Sequence, residues 1–135
     1  MIFVDTGPFL ARYLVQDQHH GAALEAWAEI ERSSQHCITS NFVVDETLTL
    51  LSRRASHGFA GERGLRLYGS TAFEILRPQR EDEIAALEAF TKLADQRVSF
   101  TDCVSFALMK RHRLRRAFTF DRHFAAAGFE VWPVR

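Results

Sequence analysis

Residues 1–10 read Met1-Ile2-Phe3-Val4-Asp5-Thr6-Gly7-Pro8-Phe9-Leu10. The short unbroken apolar run Met1 to Val4 predicts a buried strand. Asp5-Thr6-Gly7-Pro8 punctuates it, and Pro8 suits the first turn of a helix, where the missing N–H has no partner to lose. Phe9, Leu10, Tyr13 and Leu14 then give that helix an apolar face. A carboxylate standing where a buried strand gives way to a helix is the feature that organises the rest of the chain.

The alternation repeats downstream. A second helix is predicted over about Gly21 to Arg32, and Cys37-Ile38-Thr39 reads as a strand. Ser40-Asn41 is a good capping pair for a helix running to about Arg54. His57-Gly58-Phe59-Ala60-Gly61 reads as a helix stop and loop, followed by a helix from about Glu62 to Ala72. Phe73-Glu74-Ile75-Leu76 is strand-like and ends at Pro78; a helix then covers about Glu81 to Ala94. Thr101 is expected to cap a further helix, which ends in the basic cluster Lys110 to Arg116. Ala117 to Phe120 is a strand, His123 to Ala127 a helical turn ending at Gly128, and Phe129 to Val134 a last strand. Strands alternating with helices predict an α/β fold: a single domain over residues 1–135, its mainly parallel sheet of about four or five strands flanked by helices.

Composition narrows the classes. At 47% hydrophobic the chain has ample core material and no signature of disorder. Its 17 basic and 17 acidic side chains cancel, which argues against a general nucleic-acid coat but leaves room for a local basic patch. The two cysteines, Cys37 and Cys103, sit in apolar contexts outside any C-x-x-C pair and are expected to be reduced core thiols. No basic leader precedes a long apolar core, and no apolar stretch approaches the ~20 residues of a membrane span. The expectation is a soluble, cytoplasmic protein with no membrane association.

Four acids then stand at strand ends or helix starts: Asp5, Glu46, Asp102 and Asp121. In an alternating fold these positions share one edge of the sheet, the edge where open α/β sheets bind ligands. Helical phase separates Glu46 from its neighbour. At ~100° per residue, Asp45 falls with Thr49 and Ser52 on the polar face, whereas Glu46 falls between Phe42 and Leu50 at the apolar boundary. Asp102 lies in the first turn of its helix, in the mostly apolar segment Phe100 to Ala107, where an unpaired charge would be costly. Each acid alone also has an ordinary reading as a cap, a turn residue or a rim charge. Together they form a set of oxygen ligands suited to hard cations such as Mg²⁺ or Mn²⁺. There is no H-E-x-x-H, G-x-S-x-G or Walker A motif; Gly58, Gly61 and Gly64 are read as helix breakers, and His19-His20 as surface.

The ordered set resembles a PIN domain, most closely the VapC-type toxins. The matching pieces are Ile2-Phe3-Val4-Asp5-Thr6-Gly7-Pro8, Thr39-Ser40 with Glu46 in the following helix, Ser99-Phe100-Thr101-Asp102-Cys103, and Phe118-Thr119-Phe120-Asp121-Arg122-His123-Phe124. The resemblance implies a metal-dependent RNA endonuclease, the toxin of a type II toxin–antitoxin pair. It implies Asp5 and Asp102 as direct ligands of Mg²⁺ or Mn²⁺, with Asp121 and Glu46 completing the site directly or through water. It further implies supporting roles for Thr6 and Thr101, a cognate antitoxin partner and a homodimer. The alternative is a catalytically silent PIN-like module that binds RNA or protein. For the basic stretch Lys110 to Arg116, two readings stand: favourable placement at a helix C-terminus, or phosphate contact. Arg53, Arg54, Arg63 and Arg66 form further basic groups.

Overall fold

In the computed structural model, which describes residues 1–134, the apolar runs become five strands and the amphipathic stretches seven α-helices. In chain order they are β1 (Ile2–Val4), α1 (Thr6–Tyr13), α2 (His20–Arg32), β2 (Cys37–Ser40), α3 (Asn41–Arg54), α4 (His57–Gly69) and β3 (Phe73–Leu76). There follow α5 (Arg80–Lys92), a 3₁₀ turn (Ala94–Gln96), α6 (Phe100–Arg111), β4 (Arg116–Phe118), α7 (His123–Ala126) and β5 (Glu130–Trp132). The strands form one sheet in the order β3-β2-β1-β4-β5, and every neighbouring pair is parallel. Parallel strands need crossovers, and the helices that make them cover both faces of the sheet.

β1 lies at the centre, and Ile2, Phe3 and Val4 are fully buried. The chain first steps outward from β1 through β2 to β3, then returns across β1 to β4 and β5. The direction of winding therefore reverses between β1 and β4. That reversal leaves a crevice at the carboxyl ends of these two strands, the place where such sheets bind ligands.

The main core packs Phe3, Phe118 and Phe124 against Trp27, Phe106 and Met109. Trp27 also donates its indole N–H to the Pro8 carbonyl at 3.0 Å, so its one polar atom is satisfied within the core. A smaller cluster of Leu10, Leu51 and Ala60 lies beneath α3 and α4. Cys37 and Cys103 are both buried and free, as their apolar contexts predict. No helix among the described residues is long and apolar enough to cross a membrane.

Four local expectations are corrected. His57 to Gly61 is the first turn of α4, not a loop: Ser56 caps it, its Oγ accepting the Phe59 N–H at 3.1 Å. Gly64 is not a breaker either, because a Cβ there would come within 3.0 Å of Leu48, and its absence lets α4 approach α3. The cap of α6 is Ser99 rather than Thr101, with Ser99 Oγ accepting the Asp102 N–H at 3.1 Å. β4 covers Arg116 to Phe118, one residue earlier than read and two residues shorter at its end.

The basic stretch begins at the C-terminal end of α6. At 1.5 Å per residue the helix separates Lys110 from the turn holding Asp102 by roughly 12 Å. Arg111 Nε reaches both oxygens of buried Asp82 at 2.9 and 3.0 Å, and Arg116 pairs with Glu130 at 3.4 Å. Burial alone would raise the Asp82 carboxyl, but the Arg111 hydrogen bond, the Gln79 N–H and the Arg111 charge together hold it below its usual range.

Candidate active site

Each acid is delivered by a different element. Asp5 follows β1, and its backbone N–H bonds the Phe118 carbonyl at 3.0 Å, which extends the β1–β4 ladder by one step. Its side chain is buried, with Oδ2 accepting a 2.8 Å hydrogen bond from Thr119 Oγ1. The same Thr119 oxygen accepts the backbone N–H of Asp121 at 2.9 Å. One fully buried threonine thus fixes Asp5 by its hydroxyl proton and Asp121 by its lone pair. Asp121 Oδ1 in turn accepts the His123 backbone N–H at 2.8 Å, which sets the turn into α7.

Asp102 enters from the first turn of α6 and is 8% exposed. Glu46 enters from α3 and is half-buried, whereas Asp45 beside it is exposed, as the helical phase predicts. All four acids line one open cleft of about 640 Å³, together with Thr6, Arg97, Ser99, Phe120, Arg122 and His123. Thr6 Oγ1 is buried without a hydrogen-bond partner among the described residues. Thr101 is half-buried and not part of the lining. His19, read as surface, stacks its ring on Phe120 at a centroid distance of 4.4 Å.

The electrostatics are those of crowded, shielded carboxylates. Burial pushes Asp5 up to about 6, against the Thr119 and Thr6 hydrogen bonds that favour its charged form; the charges of Asp121 and Glu46 add to the rise. Asp102 is pushed up to about 8, chiefly by burial, then by the charges of Asp5 and Asp121, a hydrogen bond shared with Asp121, and Glu46. Left to themselves, Asp5 and Asp102 hold protons more tightly than ordinary carboxyls do.

A cation is the other way to relieve the repulsion, and the donor set fits one. Carboxylate oxygens of Asp102 and Asp121 and a ring nitrogen of His123 all lie within 4.8 Å of one another. The His123 Nδ1 is 2.8 Å from Asp121 Oδ1, an ion-pair distance, yet the two are not aligned as a hydrogen bond and Nδ1 has no other partner among the described residues. A neutral imidazole there would keep a lone pair free for a metal.

Sequence reasoning placed the four acids but missed Thr119, His123, Arg97 and Arg122. The Asp-x-His spacing at Asp121 and His123 was the available signal for the histidine. Thr119 had none, because its bond to Asp5 joins residues 114 positions apart.

Comparison with known proteins agrees with this geometry. The PIN domain family profile matches residues 2–130. The 23S rRNA-specific endonuclease VapC20 of Mycobacterium tuberculosis is 38% identical over 135 residues, covering 98% of this chain and 99% of its own. A VapC ribonuclease of Archaeoglobus fulgidus is 28% identical over 134 residues, covering 96% of this chain and 83% of its own. The crystal structure of the VapC20 toxin, described as cleaving the sarcin-ricin loop, superposes with a TM-score of 0.85 at 35% identity over 96% of each chain. FitAcB of Neisseria gonorrhoeae, at 20% identity and a TM-score of 0.69 over 99% of this chain and 100% of its own, shares the fold. This chain belongs to the PIN domain family and, within it, to the VapC type.

Proposed function

We propose that the cleft between β1 and β4 hydrolyses RNA phosphodiester bonds with Mg²⁺ or Mn²⁺, held by Asp5, Glu46, Asp102 and Asp121. The chain is an endoribonuclease of the VapC kind and acts as the toxin of a toxin–antitoxin pair. The observation that carries this reading is the convergence of four acids from four elements in one cleft, with the protons of Asp5 and Asp102 held abnormally tightly. When bound, a divalent cation supplies a Lewis acid and lowers the pKa of coordinated water.

The chain's own residues supply position and charge. Asp5 and Asp102 are the direct holders of the cation, and Asp121 and Glu46 complete the set, directly or through water. Thr119 keeps the Asp5 carboxylate from rotating away. Ser99 fixes the first turn of α6 and so the place of Asp102. His123 offers a nitrogen within reach of the same ion, which would shift preference from Mg²⁺ toward Mn²⁺.

The VapC20 relative, named for its action on 23S rRNA, makes large-subunit rRNA the first substrate to try. A cognate antitoxin covering the cleft, a cytoplasmic location and a homodimer complete the proposal. The apolar side chains Ile84, Leu87 and Phe90, exposed along α5, supply material for a protein contact.

The test is cleavage of total RNA by purified protein in Mg²⁺, in Mn²⁺ and in EDTA, with the ends of the products mapped. Discrete cuts that depend on the metal and vanish in Asp5→Asn and Asp102→Asn, while circular dichroism is unchanged, are the expected result. Equal turnover by either variant, or cutting that survives EDTA, would overturn the assignment. RNA binding without cutting in every metal would favour the silent module instead.

A further inference from the structure

An acid-lined cleft repels the polyanion it is meant to cut. The chain as a whole offers no compensating field, because its 17 basic and 17 acidic side chains cancel. Cations placed at the cleft itself would supply that attraction where the cut is made. Many of the chain's arginines are engaged elsewhere. Arg111 serves Asp82, Arg116 serves Glu130, Arg12 serves Glu31 and Arg66 serves Glu62. Arg63 lies over the rings of Tyr13 and Phe59.

Two arginines line the cleft, Arg97 and Arg122. Both are exposed, and neither side chain has an ion pair, hydrogen bond or ring contact among the described residues. They reach it from different segments. Arg97 lies between the 3₁₀ turn and Ser99, the cap of the helix that carries Asp102. Arg122 directly follows Asp121 on the loop from β4 to α7.

We propose that Arg97 and Arg122 grip the RNA backbone on either side of the cut, each by a guanidinium fork on a phosphate. This inference rests on the ribonuclease reading and names the substrate contacts of that site. Paired N–H donors in a rigid plane match phosphate geometry better than a point charge does. The backbone at Arg97 supplies a way to test that role. Its φ is +55°, in the left-handed region where a side chain is sterically disfavoured and glycine is the usual occupant. Arg113 has φ +56° just beyond the far end of α6, so it supplies a matched control away from the cleft.

The experiment measures binding of a fluorescein-labelled RNA stem-loop to a non-cutting Asp5→Asn protein in Mg²⁺, over a range of salt. Arg97→Ala and Arg122→Ala are each expected to weaken binding about tenfold and to lower the slope of log Kd against log salt by roughly one. Arg97→Gly relieves the backbone, so it should melt higher than its parent and still lose the same affinity. Arg113→Gly should also melt higher and bind RNA as its parent does. In the cutting protein the two arginine variants should raise KM more than they lower kcat.

Unchanged affinity and slope in both Arg97→Ala and Arg122→Ala would overturn the proposal while leaving the ribonuclease reading intact. A loss as large in Arg113→Gly would overturn it equally, since the effect would then not be local to the cleft. Failure of the wild-type chain to cut any RNA strikes the ribonuclease reading, and it is read in a separate assay from the binding titration.

Discussion

Replacing Asp102 by asparagine should make the metal-free protein more stable, although it removes a group from the heart of the cleft. The native Asp102 carboxyl is pushed up to about 8 from an ordinary 3.8. At pH 7 the folded chain holds a proton that the unfolded chain has released. The gap of roughly three pH units, at about 1.4 kcal/mol each, sets a ceiling of about 4 kcal/mol on the cost. Asp102 shares that cost with Asp5, Asp121 and Glu46, and asparagine forfeits a few tenths of a kcal/mol of helix-dipole interaction at the start of α6. A net gain of about 2 kcal/mol is expected, or a melting temperature higher by about 8 °C for a chain of this size.

The sign is fixed by linkage. The native pKa lies above the unfolded one, so between about pH 4 and pH 8 the folded state binds the extra proton. Stability must therefore fall as pH rises through that window, and flatten above it. Asp5 contributes in the same sense between about pH 4 and pH 6. Urea unfolding in EDTA at several pH values measures this directly: the wild-type curve should slope downward, and the Asp102→Asn curve should be shallower. Divalent cation should then reverse the ranking. At a hundred times its Kd, an ion that binds only the folded state stabilises by about 2.7 kcal/mol, and the variant should gain far less. The reasoning is refuted if Asp102→Asn is the less stable protein in EDTA at pH 7, or if wild-type stability rises from pH 5 to pH 8.

Thr119→Val should cost about 1–3 kcal/mol by leaving the Asp5 carboxyl and the Asp121 N–H without their buried partner. It should also slow cleavage at least tenfold, and Thr119→Ser should restore most of both in the same melting and RNA assays. His123→Ala should weaken Mn²⁺ binding more than Mg²⁺ binding by calorimetry, since only the softer ion gains much from a nitrogen donor. Arg111→Ala should destabilise by about 2–4 kcal/mol by stranding the buried Asp82 carboxylate, yet leave RNA cleavage at its wild-type rate at temperatures where the protein stays folded.

What could be read from sequence followed the range of the interactions. β1, β2 and β3 announced themselves as short apolar runs, and their residues are paired as those runs imply. Glu46 was separated from Asp45 by helical phase alone, because burial on a helix repeats with a period the sequence carries. The start of α4 was misread because Gly58 and Gly61 signal a loop locally. Tertiary packing against α3 and the Ser56 cap override that signal. Thr119 and the free arginines at the cleft depended on which segments meet in space, which no local pattern records.

The placement of Asp5 at the end of β1 also answers a mechanical problem. Carboxylates that repel one another would spread apart on a flexible loop, and a spread set holds no ion well. Here the strand end is tied from both neighbours. On one side Thr39 of β2 donates its hydroxyl to the Val4 carbonyl at 2.8 Å. On the other, Thr119 beyond β4 donates to the Asp5 carboxylate at 2.8 Å, and the Asp5 N–H reaches the Phe118 carbonyl. Thr39 and Thr119 are both fully buried, so water does not compete for these bonds. The central strand is paired on both sides, and Asp5 directly follows it. Repulsion among the acids is thus kept as electrostatic potential aimed at the cleft instead of being relaxed by movement, which is the arrangement that catalysis by preorganised charge requires.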